Sequence, residues 1–99
     1  ATSAASNADN THFAIGNAYI KLRRPSAAME SFQRVVDHGS GWKVANAHMR
    51  MGEILEHRKE LRAAIEHYKK AIALDRKLHN AHQRLEKLLR DHPHRQIEP

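Results

Sequence analysis

The residues best equipped for chemistry here are histidines, nine of them in 99 residues, together with asparagines and paired glutamates. Histidine and asparagine recur in one tripeptide position: Asn10-Thr11-His12, Asn46-Ala47-His48 and Asn80-Ala81-His82. Imidazole nitrogens ligate metal ions. Histidines that open successive helical units, however, stand a helix pair apart, on the order of 10–20 Å, whereas metal ligands sit about 2 Å from a shared ion. Those three therefore read as packing residues. Asp75, His79 and His82 fall at i, i+4 and i+7 on one helix face, where a stray divalent ion would be the functional reading and a solvated surface the better one. No metal or other cofactor is expected. Glu53 with Glu56, and Glu56 with Glu60, have helix-surface spacing and not the geometry of an acid–base pair. Cysteine is absent, no serine lies in a glycine-flanked elbow, and neither GxxxxGK[ST] nor GxGxxG occurs. The sequence predicts no enzyme.

The elements that would position these groups are helices. Residues 45–78 hold Met51-Gly52-x-x-Leu55, then Ala64-x-x-x-Tyr68-x-x-Ala71, then a polar break at Asp75-Arg76-Lys77. Each cluster puts apolar and small residues on one helix face, and Lys59-Glu60 separates them. Neither stripe can be buried by its own helix, so the two must pack as an antiparallel pair. The spacing recurs as Ile15-Gly16-x-x-Tyr19 with Ala28-x-x-x-Phe32-x-x-Val35, and begins again as Leu85-Glu86-x-x-Leu89, where Glu86 replaces the glycine. With the tripeptide openings in register, this is an internal repeat of about 34 residues.

The spacing predicts five helices. The first runs from a cap at Asn7 or Asp9 to about Leu22, with Ala14, Ile15, Ala18, Tyr19 and Leu22 as its apolar face. Arg23-Arg24 make a turn, and Pro25 begins the second helix at a position that tolerates proline. Gly39-Ser40-Gly41 ends that helix through a left-handed glycine, Ser40 caps the next, and Trp42 sits at its entry. Helices follow at about 42–57, 61–74 and 78–91, the last capped by Asp75 and stopped by His92-Pro93. The expected division is a tail at 1–8, a repeat domain at 9–91 (first repeat 9–44, second 45–78, a third first-helix or cap at 79–91), and a tail at 92–99. The fifth helix either tucks Leu88 and Leu89 inward as a cap or offers an open side to another molecule or more chain.

These residues resemble the tetratricopeptide repeat, whose pattern is W-x2-L-G-x2-Y, then A-x3-F, then P. The resemblance spans roughly 9–91. Histidine stands in place of tryptophan at 12, 48 and 82, and Ser40 and Arg76 stand where the family has proline. It implies an all-α solenoid of antiparallel helix pairs, about two and a half repeats, that serves as a non-catalytic protein-interaction module, an adaptor or scaffold. It also implies that the first helix of each repeat lines a groove for a partner. The groove positions are then Asn10, Phe13, Asn17, Asn46, Met49, Arg50, Glu53, Asn80, Gln83, Arg84 and Lys87. They lie opposite the apolar stripe, and Phe13 and Met49 are apolar residues that the expected core does not claim. Asn10, Asn46 and Asn80 either grip the backbone of an extended peptide or serve as caps and inter-repeat bonds. Arg50, Arg84 and Lys87 would make the floor basic and suit an acidic segment.

Some family members hold chaperone tails with a two-carboxylate clamp of Lys, Asn, Asn, Lys and Arg. At the equivalent Phe13, Asn17, Arg50, Asn80 and Arg84 only Asn17 and Arg84 match, which argues against that receptor type. Two other readings compete. Helical repeats of this length include RNA readers, which the basic composition and the Asn-x-His openings allow. Against that reading, the groove lacks aromatic platforms, so nucleic acid is not the expected partner. The terminal helix would instead drive homo-oligomerisation if the chain is a self-assembling scaffold unit.

Composition agrees with one soluble helical domain, 40% hydrophobic and 28% charged, near the lower size limit for an independent core. The net charge of +6 favours acidic partners, although the cations are scattered and a solvated helical surface accounts for most of them. No apolar run reaches the ~18 residues of a membrane span. The first eight residues carry no signal-peptide pattern. The cytoplasm is the expected compartment, with a processed secreted or periplasmic domain as the alternative.

Overall fold

The computed structural model describes residues 3–39 and 41–92, with side chains described from residue 11 onward. Five helices follow in order: α1 (Ser3–Lys21), α2 (Pro25–His38), α3 (Trp42–His57), α4 (Leu61–Leu74) and α5 (His79–Asp91), and no strand occurs among the described residues. The helices pack in sequence, α1 on α2, α2 on α3, α3 on α4 and α4 on α5. The molecule is elongated, 50 × 29 × 21 Å, as expected for stacked helix hairpins.

Two aromatic side chains set the hairpin spacing. A Cβ on Gly16 would meet the Phe32 ring at 2.7 Å, and one on Gly52 would meet the Tyr68 ring at 2.7 Å. Both rings are fully buried, and burying each removes enough apolar surface to contribute about 1.5–3 kcal/mol. The glycines let the first helix of each hairpin approach the second closely enough to cover that ring. Two cores result. Ala28, Phe32, Val35, Ala47, Met51 and Ile54 form one. Met49, Leu55, Leu61, Ala64, Ile65, Tyr68, Ala71, Ala81 and Leu88 form the other, and Met29 packs against both.

Several expectations are revised. α1 begins at Ser3, inside the stretch expected as a tail, because alanine-rich sequence propagates a helix well. Ala14, Ile15, Ala18 and Leu22 are exposed, Leu22 at 65%. α1 packs on α2 and touches α3, and the rest of its apolar stripe faces away from both. At the other end Leu88 is buried while Leu89 is 38% exposed, so only half of the expected pair tucks inward.

The caps differ as well. None of α2 to α5 has a side-chain N-cap hydrogen bond. Asp75 instead accepts the Lys77 N–H at 3.0 Å in a local turn. Gly39 is extended (φ −92°), and the left-handed glycine is Gly41. Ser40, the side chains of Asn7 and Asp9, and all of the expected 92–99 tail after His92 lie outside the described residues.

Candidate functional site

Polar side chains of α3 and α5 meet through a short network of ion pairs. Glu53 accepts from Arg50 Nη1 at 3.0 Å and from Arg84 Nε at 2.9 Å. Arg84 also reaches Glu56 at 3.8 Å, and the Tyr68 hydroxyl donates to Glu56 at 2.8 Å. Three helices are thereby tied together at one place. Burial and the bond to Glu56 raise the Tyr68 pKa, so the phenol stays protonated and remains the donor. Arg50 Nε is buried without a hydrogen-bond partner among the described residues. An N–H in that state costs about 1–3 kcal/mol.

Arg50, Glu53, Asn80, Gln83, Arg84 and Lys87 line a cleft of about 480 Å³. A second cleft of about 750 Å³ adjoins it, sharing Arg50, Glu53 and Arg84 and continuing past Ile20, Arg23, Pro25 and Ile54 to His57 and Arg58. Arg58 is held there by a 2.7 Å hydrogen bond to Ser26 Oγ. The two clefts meet at these shared residues and together make a trough of mixed character, with apolar side chains confined to the larger one and charged groups along both.

Six of the eleven positions expected in the groove line the smaller cleft. Phe13, Asn17, Asn46 and Met49 do not. Met49 is 3% exposed and belongs to the second core. The expected core stripe of α3 was too narrow, because this helix is buried on two sides. Phe13 is half-buried and packs edge-on against Phe32 at 5.7 Å and Trp42 at 5.9 Å, so it serves the first core. Asn46 donates to the Trp42 carbonyl of its own helix at 2.9 Å. Asn17 is half-buried, and the Asn10 side chain lies outside the described residues. The basic floor is also changed, since Arg50 and Arg84 are engaged by Glu53 and Glu56. Sequence reasoning missed the apolar end of the trough and the part of Glu56. Glu56 lies three residues after Glu53, a spacing that places both on one helix face.

The histidines separate by position. His48 is 7% exposed, and its Nδ1 lies 3.0 Å from Nδ1 of His67 on α4. His12 and His82 are half-buried, and His82 bonds the Arg76 carbonyl. Among the described residues no group of three or more His, Cys, Asp or Glu side chains is arranged to hold a metal ion. The Asp75, His79 and His82 triplet is thus not a site. No helix of the described residues is long and apolar enough to cross a membrane.

Stacked helix hairpins define the class of all-α helical-repeat proteins. Family models described as tetratricopeptide repeat match residues 45–78 and 10–37. The chain belongs to that family, whose members are in general protein–protein interaction modules. Comparison with curated proteins and with solved structures gives no match.

Proposed function

We propose that this chain is a non-catalytic adaptor that binds an acidic peptide segment of a partner protein along the trough between α3, α5 and the α1–α2 turn. The observation that carries this reading is the continuity of the two clefts through Arg50, Glu53 and Arg84. Three cations (Arg50, Arg84 and Lys87) face one carboxylate (Glu53) in the smaller cleft. Arg23 and Arg58 add positive charge beyond it, and Ile20, Pro25 and Ile54 offer an apolar floor. A peptide carboxylate exchanges with Glu53 for Arg84, whose guanidinium is half-exposed and can bind it through charge-assisted hydrogen bonds. Among the described residues no Phe, Tyr or Trp lines either cleft, so the row of large aromatic platforms on which successive bases of single-stranded RNA stack is missing.

The test is selection from a random twelve-residue peptide library, followed by titration of the selected peptides against the wild type and Arg84→Glu. Selected peptides should be acidic, and Arg84→Glu should weaken them at least about tenfold, the cost of reversing one buried-edge charge contact. Neutral or basic selections, or binding indifferent to Arg84→Glu, would sink the reading. A second reading, self-association, rests on exposed Ile15 on α1, Leu22 in the turn that follows it and Leu89 on α5. Sedimentation at several concentrations measures it, and Arg84→Glu leaves it unchanged because that residue lies in the trough and not among those side chains.

A further inference from the structure

The one close pair of ionisable rings in the described interior is not part of the trough. His48 on α3 and His67 on α4 approach across the second hairpin with their Nδ1 atoms 3.0 Å apart and their ring centroids 5.2 Å apart. Since the nitrogens are so much closer than the ring centres, they occupy the facing edges. One ring donates and the other accepts, so a single proton lies between two lone-pair positions. Neither residue lines either cleft. The equivalent pair in the first hairpin is His12 and Ser31, so the second imidazole is peculiar to the second repeat.

We propose that His48 and His67 form a two-histidine site for a divalent transition-metal ion of the Cu²⁺ or Ni²⁺ class, which takes the place of the shared proton as that proton moves to Nε2 of the donor ring, and clamps α3 to α4.

The choice of ion follows from the separation. With metal–nitrogen bonds of about 2.0–2.1 Å, two nitrogens 3.0 Å apart subtend an angle near 90° at the ion. That is the cis angle of tetragonal and square-planar sites, the geometries of Cu²⁺ and Ni²⁺. A tetrahedral Zn²⁺ site would need the pair to open further. Each ring must turn about its χ2 torsion to aim its lone pair at the ion instead of at the other nitrogen, and that torsion is soft in histidine. His67 is only half-buried, which leaves its side open for the water ligands that complete the sphere.

Both rings are available in the required neutral form. Burial, then His67 and Lys70, lowers the His48 pKa to about 4. Burial, then Lys70, lowers that of His67 against the opposing pull of Glu66. Proton competition at neutral pH is therefore small. Lys70 opposes the incoming cation at both rings, and Glu66 offsets part of that at His67.

Isothermal titration of the intact chain with NiCl₂ and CuCl₂, repeated on His67→Ser, tests the site. Serine is chosen because Ser31 already occupies that position in the first hairpin, where it is 8% exposed. The wild type should bind one equivalent and melt at higher temperature with metal, because the ion joins two helices in the native state only. His67→Ser should lose the melting shift and bind at least about tenfold more weakly. Equal binding and equal shifts in the two proteins would place the metal on surface histidines and overturn the proposal. A second measurement does not depend on the variant folding. In the wild type, substoichiometric Cu²⁺ should broaden the imidazole NMR signals of His48 and His67 before those of His57, His79 and His92. The reverse order refutes the site.

Discussion

At the scale of single residues, the fold depends on what is missing at Gly16 and Gly52. Alanine is the better helix former by about 1 kcal/mol, so Gly52→Ala would stabilise a helix in isolation. Here the added methyl meets the Tyr68 ring at 2.7 Å, and that ring cannot retreat. It is fully buried, and its hydroxyl is held by Glu56 at 2.8 Å. Overpacking of this kind costs about 1–3 kcal/mol. Set against the helix gain of about 1 kcal/mol, the expected outcome is a net loss of up to about 2 kcal/mol in urea denaturation, with Gly16→Ala showing a similar loss through Phe32. A Gly52→Ala protein more stable than the wild type would mean that the hairpin spacing is not set by these rings. This residue-level logic was legible in advance, since glycine and aromatic recur at the same spacing in both repeats. The fate of Met49 was not. A period of 3.6 identifies one buried stripe, whereas α3 is covered by neighbours on two sides, and a second stripe looks like a binding face until those neighbours are known. The His48–His67 pair was hidden for a related reason. Searching one repeat position compares histidines along the array, while the close contact runs across a hairpin to a different position.

At the scale of elements, the helix limits of α2 to α5 follow from local chemistry, and the turns between paired helices are where that chemistry is least comfortable. Each hairpin closes in the same way. Arg23 and Lys59 are left-handed, with φ of 59° and 67°. Arg24 N–H bonds the Tyr19 carbonyl while Arg23 N–H bonds that of Ile20, and Glu60 and Lys59 repeat the pattern on Leu55 and Glu56. This is the Schellman arrangement, in which glycine is the favoured residue at the left-handed position. The sequence suggested a left-handed glycine only after α2, at Gly39-Ser40-Gly41, where Gly39 is extended, because a glycine next to a helix end is the usual signal and a basic residue is not. A left-handed non-glycine residue costs about 1–2 kcal/mol, of which glycine's greater unfolded-state freedom returns about 0.5–1. Lys59→Gly should accordingly stabilise the chain by about 0.5–1 kcal/mol, read as a rise in the urea midpoint at unchanged slope. Lys59→Val, with a branched Cβ in the same conformation, should lower it. If glycine and valine shift the midpoint in the same direction, the turn conformation does not limit stability.

At the scale of the whole molecule, α3 is the element common to both cores. Ala47, Met51 and Ile54 enter the first, and Met49 and Leu55 enter the second. Its polar side carries Arg50, Glu53 and Glu56, which fix α5 through Arg84 and α4 through Tyr68. α1 and α5 are each covered chiefly by a single neighbour. In a repeat array, stability is the sum of each unit's own stability and its contacts with adjacent units, so an element with neighbours on both sides opens only when one of those interfaces is lost. Hydrogen exchange should therefore be graded along the chain. Amides of α3 and the facing turns of α4 should exchange slowest, near the free energy of global unfolding, and those of α1 and the C-terminal turn of α5 fastest. The gradient bears on the trough as well. Its walls come from a well-protected helix (α3) and a less protected one (α5), so a peptide seated on Arg84 and Lys87 should slow exchange in α5 far more than in α3. Uniform protection across all five helices, or an α5 that exchanges no faster than α3, would contradict this picture of a central helix with weaker elements docked on either side.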